Sequence, residues 1–363
     1  MTRRSAKSEY LYNYIRQAVD RGDYASRGFP GERALSRQTG LSLTTVRKAV
    51  ARAVAEGLLR KVPNTRKIQS VRRRGRAATV LRILMLLPSP PRYGHTQWCF
   101  GLERVAEAQR HRLEILLYTD ESDTNLWGTL GSKNHDLIFL VPPHSPNKVV
   151  LDRIKRNSHR LIVLFEDYIQ HGVSSLRQVP FRAMDCLMDH LAAKGVRTVH
   201  CFNAEPANSG IKESISRWRE GLKKHGLNGE LVSGVVKPQG SIRKQALELA
   251  HDHLRGGTPL PDAFVTTTGS AAIALTRGLA DFGLRAGLDV SVLACSSAVE
   301  LQYTTPSITC IESPPIENLL ELALDEFTKG RLSQIIHIEP PEFKILPGES
   351  SEREVLMRRA VSP

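Results

Sequence analysis

Residues 261–297 read PDAFVTTTGSAAIALTRGLADFGLRAGLDVSVLACSS. A short apolar run, DAFVTTTG, is followed by a helical stretch, AAIALTRGLADFG, and by a second apolar run, DVSVLACSS. That alternation is the pattern of a parallel βαβ unit. Toward the N-terminus it continues through VRTVHCFNA (196–204), ISRWREGLKKHG (215–226), GELVSGVV (229–236) and IRKQALELAHDHLRGG (242–257). An earlier series begins at LRILMLL (81–87). It runs through the helix TQWCFGLERVAEAQR (96–110) and the strands LEILLYT (113–119), DLIFLVPP (136–143) and RLIVLFED (160–167). Two such series predict an α/β body of two lobes with a cleft between them, a shell that can hinge.

The N-terminal segment, up to Val80, differs in kind. The chain of 363 residues carries a formal net charge of +14, and residues 1–80 hold all of it, with 19 Lys and Arg against 5 Asp and Glu. From Leu81 onward the charges cancel, so the partner of the head is an anionic polymer, with nucleic acid the leading candidate. From Ser8 to Asp20 the apolar positions Leu11, Tyr14, Ile15, Ala18 and Val19 form the stripe of an amphipathic helix. ERALSRQTG, after Pro30, predicts a short helix stopped by Gly40. Ser42 then caps LTTVRKAVARAVAEG, whose Val46, Ala49, Val50, Ala53 and Val54 face inward and which stops at Gly57. Two helices across so tight a turn have helix-turn-helix spacing, and Thr44, Thr45, Arg47 and Lys48 stand on the outer face of the second. LLRKVPNTRKIQS (58–70) predicts a hairpin turning at Pro63-Asn64, with Arg66 and Lys67 on its second strand. VRRRGRAA (71–78) is a basic linker; its Arg72–Arg76 cluster is either a phosphate contact or an exposed connection.

The strings PGERALS, LSLTTVRKAV and EGLL resemble, in order and spacing over most of the head, the winged helix-turn-helix of the GntR family. The resemblance implies that Arg33, Thr44, Thr45 and Arg47 meet phosphates and base edges of double-stranded operator DNA; Ser42 and Lys48, beside them on the same helix start and face, complete the candidate contacts. It also brings a wing at Asn64, Arg66 and Lys67 to the minor groove. Leu43 stands where the family usually has Arg, and Pro63-Asn64-Thr65 replaces its glycine-rich wing tip. One lost guanidinium removes discrimination of roughly 1–3 kcal/mol at one base pair without abolishing phosphate-driven binding.

Residues 79–348 resemble the periplasmic-binding-protein-like sensor of LacI-family regulators. RILMLLPS, HDLIFLVPP, VRTVHCFNA, SRWREGLKKHGL, PDAFVTTTGSAAIALTRGLADFGL and SITCIESPPIENLLELALDEFTKG fall in that family's order. The fold class implied is an N-terminal winged helix-turn-helix domain (1–70), the linker (71–78), a two-lobed type I α/β sensor and dimerisation domain (79–348) and a tail (349–363). Where sugar-binding members place Arg, Asn-Asp and Asp, this chain has Ser214, Thr268 with Gly269, and Ser296, so the groups that grip sugar hydroxyls are mostly gone. Strand-end loops offer Arg92, Tyr93, His95, Trp98, Glu166, Asp167, Asn203 and Glu205 as a candidate effector-binding rim.

An enzyme is not expected: there is no G-x-S-x-G, Walker A or H-E-x-x-H string. The body is also too short, and lacks the lysine motif, for the aminotransferase-like partner that GntR heads sometimes carry. His251 and His253 point to different faces of a helix, and the five cysteines are scattered without a CxxC pair. No cofactor or metal is implied. No apolar run reaches the roughly 18 residues that cross a bilayer, and the basic start lacks a secretory apolar core, so the expected compartment is the cytoplasm. The expectation is a homodimeric transcription regulator, a repressor by preference, controlled by a small-molecule effector. The alternative keeps the DNA-binding head and makes the body a ligandless dimerisation scaffold.

Overall fold

The computed structural model describes residues 3–20, 29–56, 58–61, 68–70, 80–89, 91, 93–143, 146–206, 208–234 and 241–352. The chain divides into two compact units, Met1–Thr79 and Val80–Pro363. The first contains α1 (Arg3–Asp20), α2 (Glu32–Thr39), α3 (Leu43–Ala55) and the antiparallel strands β1 (Leu59–Lys61) and β2 (Ile68–Ser70), paired from Leu59↔Ser70 to Lys61↔Ile68. Its core gathers Leu11, Tyr12 and Ile15 of α1, Phe29, Leu35 of α2, Val46, Ala49, Val50 and Ala53 of α3, and Leu59. The α1 stripe is corrected by one position. Tyr12 is buried and Tyr14 exposed, because the hydroxyl of Tyr12 reaches Glu56 and the guanidinium of Arg52 stacks 4.0 Å over its ring. Gly40 stops α2 at φ +66, a left-handed turn that costs glycine nothing, and Leu41 and Ser42 complete the link to α3. Gly57, the expected stop of α3, and Pro63 through Lys67 lie outside the described residues, as does the linker 71–78.

The second unit starts with β3 (Arg82–Pro88), α4 (Tyr93–Ala108), β4 (Arg112–Tyr118), α5 (Thr124–Gly131), β5 (Leu137–Leu140), α6 (Lys148–Arg156), β6 (Leu161–Leu164) and β7 (Ser174–Leu176). The chain then crosses to a second lobe. That lobe contains α7 (Ala183–Ala193), β8 (Val199–Asn203), α8 (Ser209–His225), β9 (Leu231–Ser233), α9 (Ile242–Arg255), β10 (Ala263–Thr266), α10 (Gly269–Asp281), β11 (Ser291–Ala294) and β12 (Cys310–Glu312). It returns for α11 (Ile316–Thr328) and β13 (His337–Ile338), and crosses once more for β14 (Lys344–Leu346), antiparallel to β12. The first sheet has the order β13-β7-β6-β5-β3-β4 and the second β11-β10-β8-β9, with every pairing parallel.

The uninterrupted apolar runs of β5 and β6 are buried along their whole length, as strands covered by helices on both faces must be. Residues 177–182, 313–315 and 339–343 make the three crossings. Because α11 packs Leu319, Leu320, Ala323 and Leu324 into the first lobe's core, each lobe is completed by chain that has visited the other. The packing continues past Gly348 into the expected tail, where Ser350 and Ser351 are buried against Thr309. Residues 353–363 are outside the described set. Among the described residues no helix is long and apolar enough to cross a membrane. The five cysteines are unpaired, and burial pushes the Cys201 and Cys295 thiols up to about 12 and about 11, which makes them inert.

Candidate nucleic-acid interface and ligand cleft

The outer face of α3 follows from its helical period. With Val46, Ala49, Val50 and Ala53 turned inward, Thr44, Arg47 and Lys48 are left exposed. Ser42 is the N-cap: its Oγ accepts from the Thr45 amide at 3.3 Å and lies 2.9 Å from Thr45 Oγ1, so these two candidate contacts also fix the start of the helix. No acid stands in the first turn of α3, and its free amides carry the positive end of the helix dipole. Arg33, on the first turn of α2, is exposed. Arg47 Nε lies 3.2 Å from Glu32, an exposed pair that a phosphate can replace. Asn64, Arg66 and Lys67 lie outside the described residues.

In the second unit the strand order sets where a cleft site forms. In the first sheet the order reverses between β3 and β5, and in the second between β8 and β10; ligands of such sheets bind beyond the strand ends at those points. In the second lobe that position is filled by the chain's own hydrogen bonds. Asn203 Nδ2 donates to Glu205 O at 2.9 Å and to Ser233 Oγ at 3.3 Å; its Oδ1 accepts from Thr267 Oγ1 at 2.7 Å and from the Glu205 amide at 3.3 Å. A side-chain amide has no further capacity, so Asn203 is a fastener rather than an open rim group. Glu205 is buried beside it. Ser214 Oγ donates to Gly210 O, Thr268 caps α10 through the Ala271 amide, and Ser296 Oγ accepts from the Ala298 amide.

The first lobe corrects two further expectations. Trp98 is 1% exposed and belongs to the core with Leu102 and Phe139, because the turn of α4 that carries it lies against the sheet. Its ring meets Phe165 edge-on at 5.4 Å, and half-buried His95 approaches the same ring at 5.3 Å. Phe165 has φ +68, a strained conformation for an aromatic residue, and it opens the segment that carries Glu166 and Asp167 to the second lobe. There the Asp167 amide donates to Ser209 Oγ at 2.9 Å, at the start of α8. Glu166, expected on an open rim, is buried. Burial pushes its carboxyl up to about 7, against the opposing pull of Ser209, Lys212 and Arg177. Arg92 is outside the described residues, as is the side chain of Tyr93, the first residue of α4.

The structure also brings forward residues that carry no signal in the sequence. Arg177, Ser313 and Glu339 stand one on each crossing, with His337 on β13 beside the third. Arg177 follows Ser174-Ser175-Leu176, a strand too short and too polar to announce itself, and the others lie far along the chain from it. A surface depression of about 400 Å³ lined by Leu130, Gly131, Arg153, Arg156 and Asn157 lies at the C-terminal ends of α5 and α6, the end of the lobe opposite the strand ends where cleft ligands bind.

Against known proteins, a family model described as a periplasmic binding protein-like domain matches residues 188–350. A LacI family transcriptional regulator from Bifidobacterium animalis subsp. lactis is similar with a TM-score of 0.62 at 17% identity, over 75% of this chain and 98% of that one. A LacI family transcriptional regulator from Enterococcus faecium, solved with bound ribose, gives 0.61 at 16% identity, over 74% and 98%. The lac repressor dimer bound to operator and the anti-inducer ONPF gives 0.62 at 15% identity, over 75% and 94%. No curated protein matches the sequence. These likenesses establish the periplasmic-binding-protein-like fold of the second unit.

Proposed function

We propose that the chain is a sequence-specific, DNA-binding transcription regulator, a repressor by preference, whose operator affinity is set by a small molecule in the cleft of the second unit. The observation that carries this reading is the confinement of the whole net charge to residues 1–80, where α3 exposes Thr44, Arg47 and Lys48 in the same unit as a β-hairpin. Three helices and a hairpin in that order fit a winged helix-turn-helix of the GntR kind, with α3 in the major groove and the hairpin beside it. A homodimer supplies two heads for two half-sites, and a ligand that binds one lobe arrangement better than another changes their spacing. Solved proteins of the same body fold include regulators described with ribose or with operator DNA, which supports the assignment.

Binding of the full-length protein to its own upstream DNA, and to a random duplex of equal length, tests the reading at low and moderate salt. Tighter binding to the upstream DNA, surviving the higher salt, is expected; indifference to both duplexes refutes it. The ligandless scaffold is the second reading, favoured by the hydrogen bonds that Asn203, Ser214, Thr268 and Ser296 spend within their own lobe. It requires DNA binding that no metabolite alters.

A further inference from the structure

Buried polar atoms without a hydrogen-bond partner are rare in folded proteins, and each one asks for an explanation. Among the described residues, four such atoms gather at the lobe crossings: Arg177 Nη1 on the first, Ser313 Oγ on the second, Glu339 Oε2 on the third, and His337 Nε2 next to the third. Arg177 is the costliest of these. The residue is 8% exposed, its guanidinium lies over the Phe181 ring at 3.7 Å, and His337 meets the same ring edge-on at 4.9 Å. Glu166, Asp167, Glu213 and Glu339 are near enough to interact with it as charges, yet among the described residues none forms an ion pair with it; Glu213 is held by Arg217 at 2.7 Å. A buried guanidinium left in that state is destabilising, because its lost hydration is not replaced by a partner.

The start of α8 comes close to the guanidinium. Gly210, in the first turn of α8, has no side chain, and a Cβ there would stand 3.4 Å from Arg177 Nη2 and 3.4 Å from Phe165 O. The positive end of α8 and the strained Phe165 backbone thus face the same corner as the unpaired guanidinium.

We propose that the crossings hold the anionic end of a hydroxylated small molecule, a sugar acid or sugar phosphate rather than a neutral sugar. Arg177 receives its carboxylate or phosphate in a fork of N–H donors, His337 Nε2 supplies a further donor in its protonated tautomer, and Glu339 accepts from a hydroxyl of the ligand. The acids nearby set the second requirement: a bare anion leaves Glu339 unpaired, and a ligand carrying hydroxyls as well satisfies it. This rests on the reading of the cleft as an effector site and names the chemistry of its occupant.

Thermal unfolding of the full-length protein tests it with inorganic phosphate, glucose 6-phosphate, glucuronate and glucose as probes, at millimolar concentration and equal ionic strength. Wild type is expected to gain about 5 °C with at least one organic anion near saturation, less with inorganic phosphate and nothing with glucose. Glucose 6-phosphate against glucuronate separates phosphate from carboxylate. Arg177→Gln is expected to lose the gain and, without any anion, to melt above wild type, since it removes an unpaired buried charge. Arg177→Lys keeps the charge without the fork and is expected to retain part of the gain; it carries the test if the glutamine variant fails to fold. An equal gain in wild type and in whichever Arg177 variant folds, a gain from glucose alone, or no gain from any anion overturns the proposal. DNA binding by the same preparations separates this from the regulator reading: an anion response without DNA binding keeps the site and sinks the regulator.

Discussion

The outer face of α3 and the strand ends of the second unit use the same polar residue types to opposite effect. On α3, Thr44, Arg47 and Lys48 are exposed and their bonds within the chain are few and replaceable. At the strand ends, Asn203, Thr268 and Ser296 are committed to neighbours in their own lobe, whereas Arg177, on a crossing, has no hydrogen-bond partner for Nη1 among the described residues. A binding surface for a large polyanion needs only one face of one helix, whereas a site for a small molecule is assembled where segments distant in sequence meet.

Trp98→Ala is expected to destabilise the second unit by about 3–5 kcal/mol, the cost of emptying a core site of that size. Denaturant unfolding measures it; unchanged unfolding with loss of ligand response alone would return Trp98 to the cleft rim. Glu166 gives a pH signature. Its carboxyl stands at about 7 in the fold against 4.5 ordinarily, so the native state holds the extra proton between those values. Stability then falls as pH rises from about 4.5 to about 7, by up to roughly 3 kcal/mol, and levels off above. Subtracting the curve of Glu166→Gln isolates that slope; a difference that is flat or rises with pH contradicts the burial of this carboxyl.

On the head the effects are smaller and fall on DNA. Arg47→Ala is expected to weaken binding to the preferred sequence by about 1–3 kcal/mol and random DNA by less, in titrations of the two duplexes. Equal losses on both reduce Arg47 to a phosphate contact. Ser42→Ala is expected to cost the first unit about 1 kcal/mol of stability through the lost cap, seen as a lower unfolding midpoint. Loss of DNA binding with that midpoint unchanged makes Ser42 a direct contact instead.

The head was legible because its signals are local: Gly40 and Ser42 punctuate two helices, and the period of α3 separates Val46 and Val50 from Thr44 and Arg47 within one turn. Tyr12 went unread because its burial depends on Glu56 and Arg52, which belong to a different helix and its cap. The body's strands were legible as apolar runs, which must be buried whichever neighbours they have. What the runs do not encode is the direction of a side chain at a strand's end or in the first turns of a helix: Trp98 and Glu166 read equally well as rim or interior until the sheet order is known. Arg177, Ser313 and Glu339 carry no motif at all, since each stands alone on its own crossing, far along the chain from the others.

If the body controls the head, a ligand of the body changes the affinity of the full-length protein for its upstream DNA. The titration is run with and without a pool of sugars, sugar acids, sugar phosphates and nucleosides. An anionic, hydroxylated member of the pool is expected to change that affinity at least about tenfold, a coupling of roughly 1.4 kcal/mol between cleft and DNA. Tight DNA binding that no member of the pool shifts contradicts it and leaves the body a scaffold.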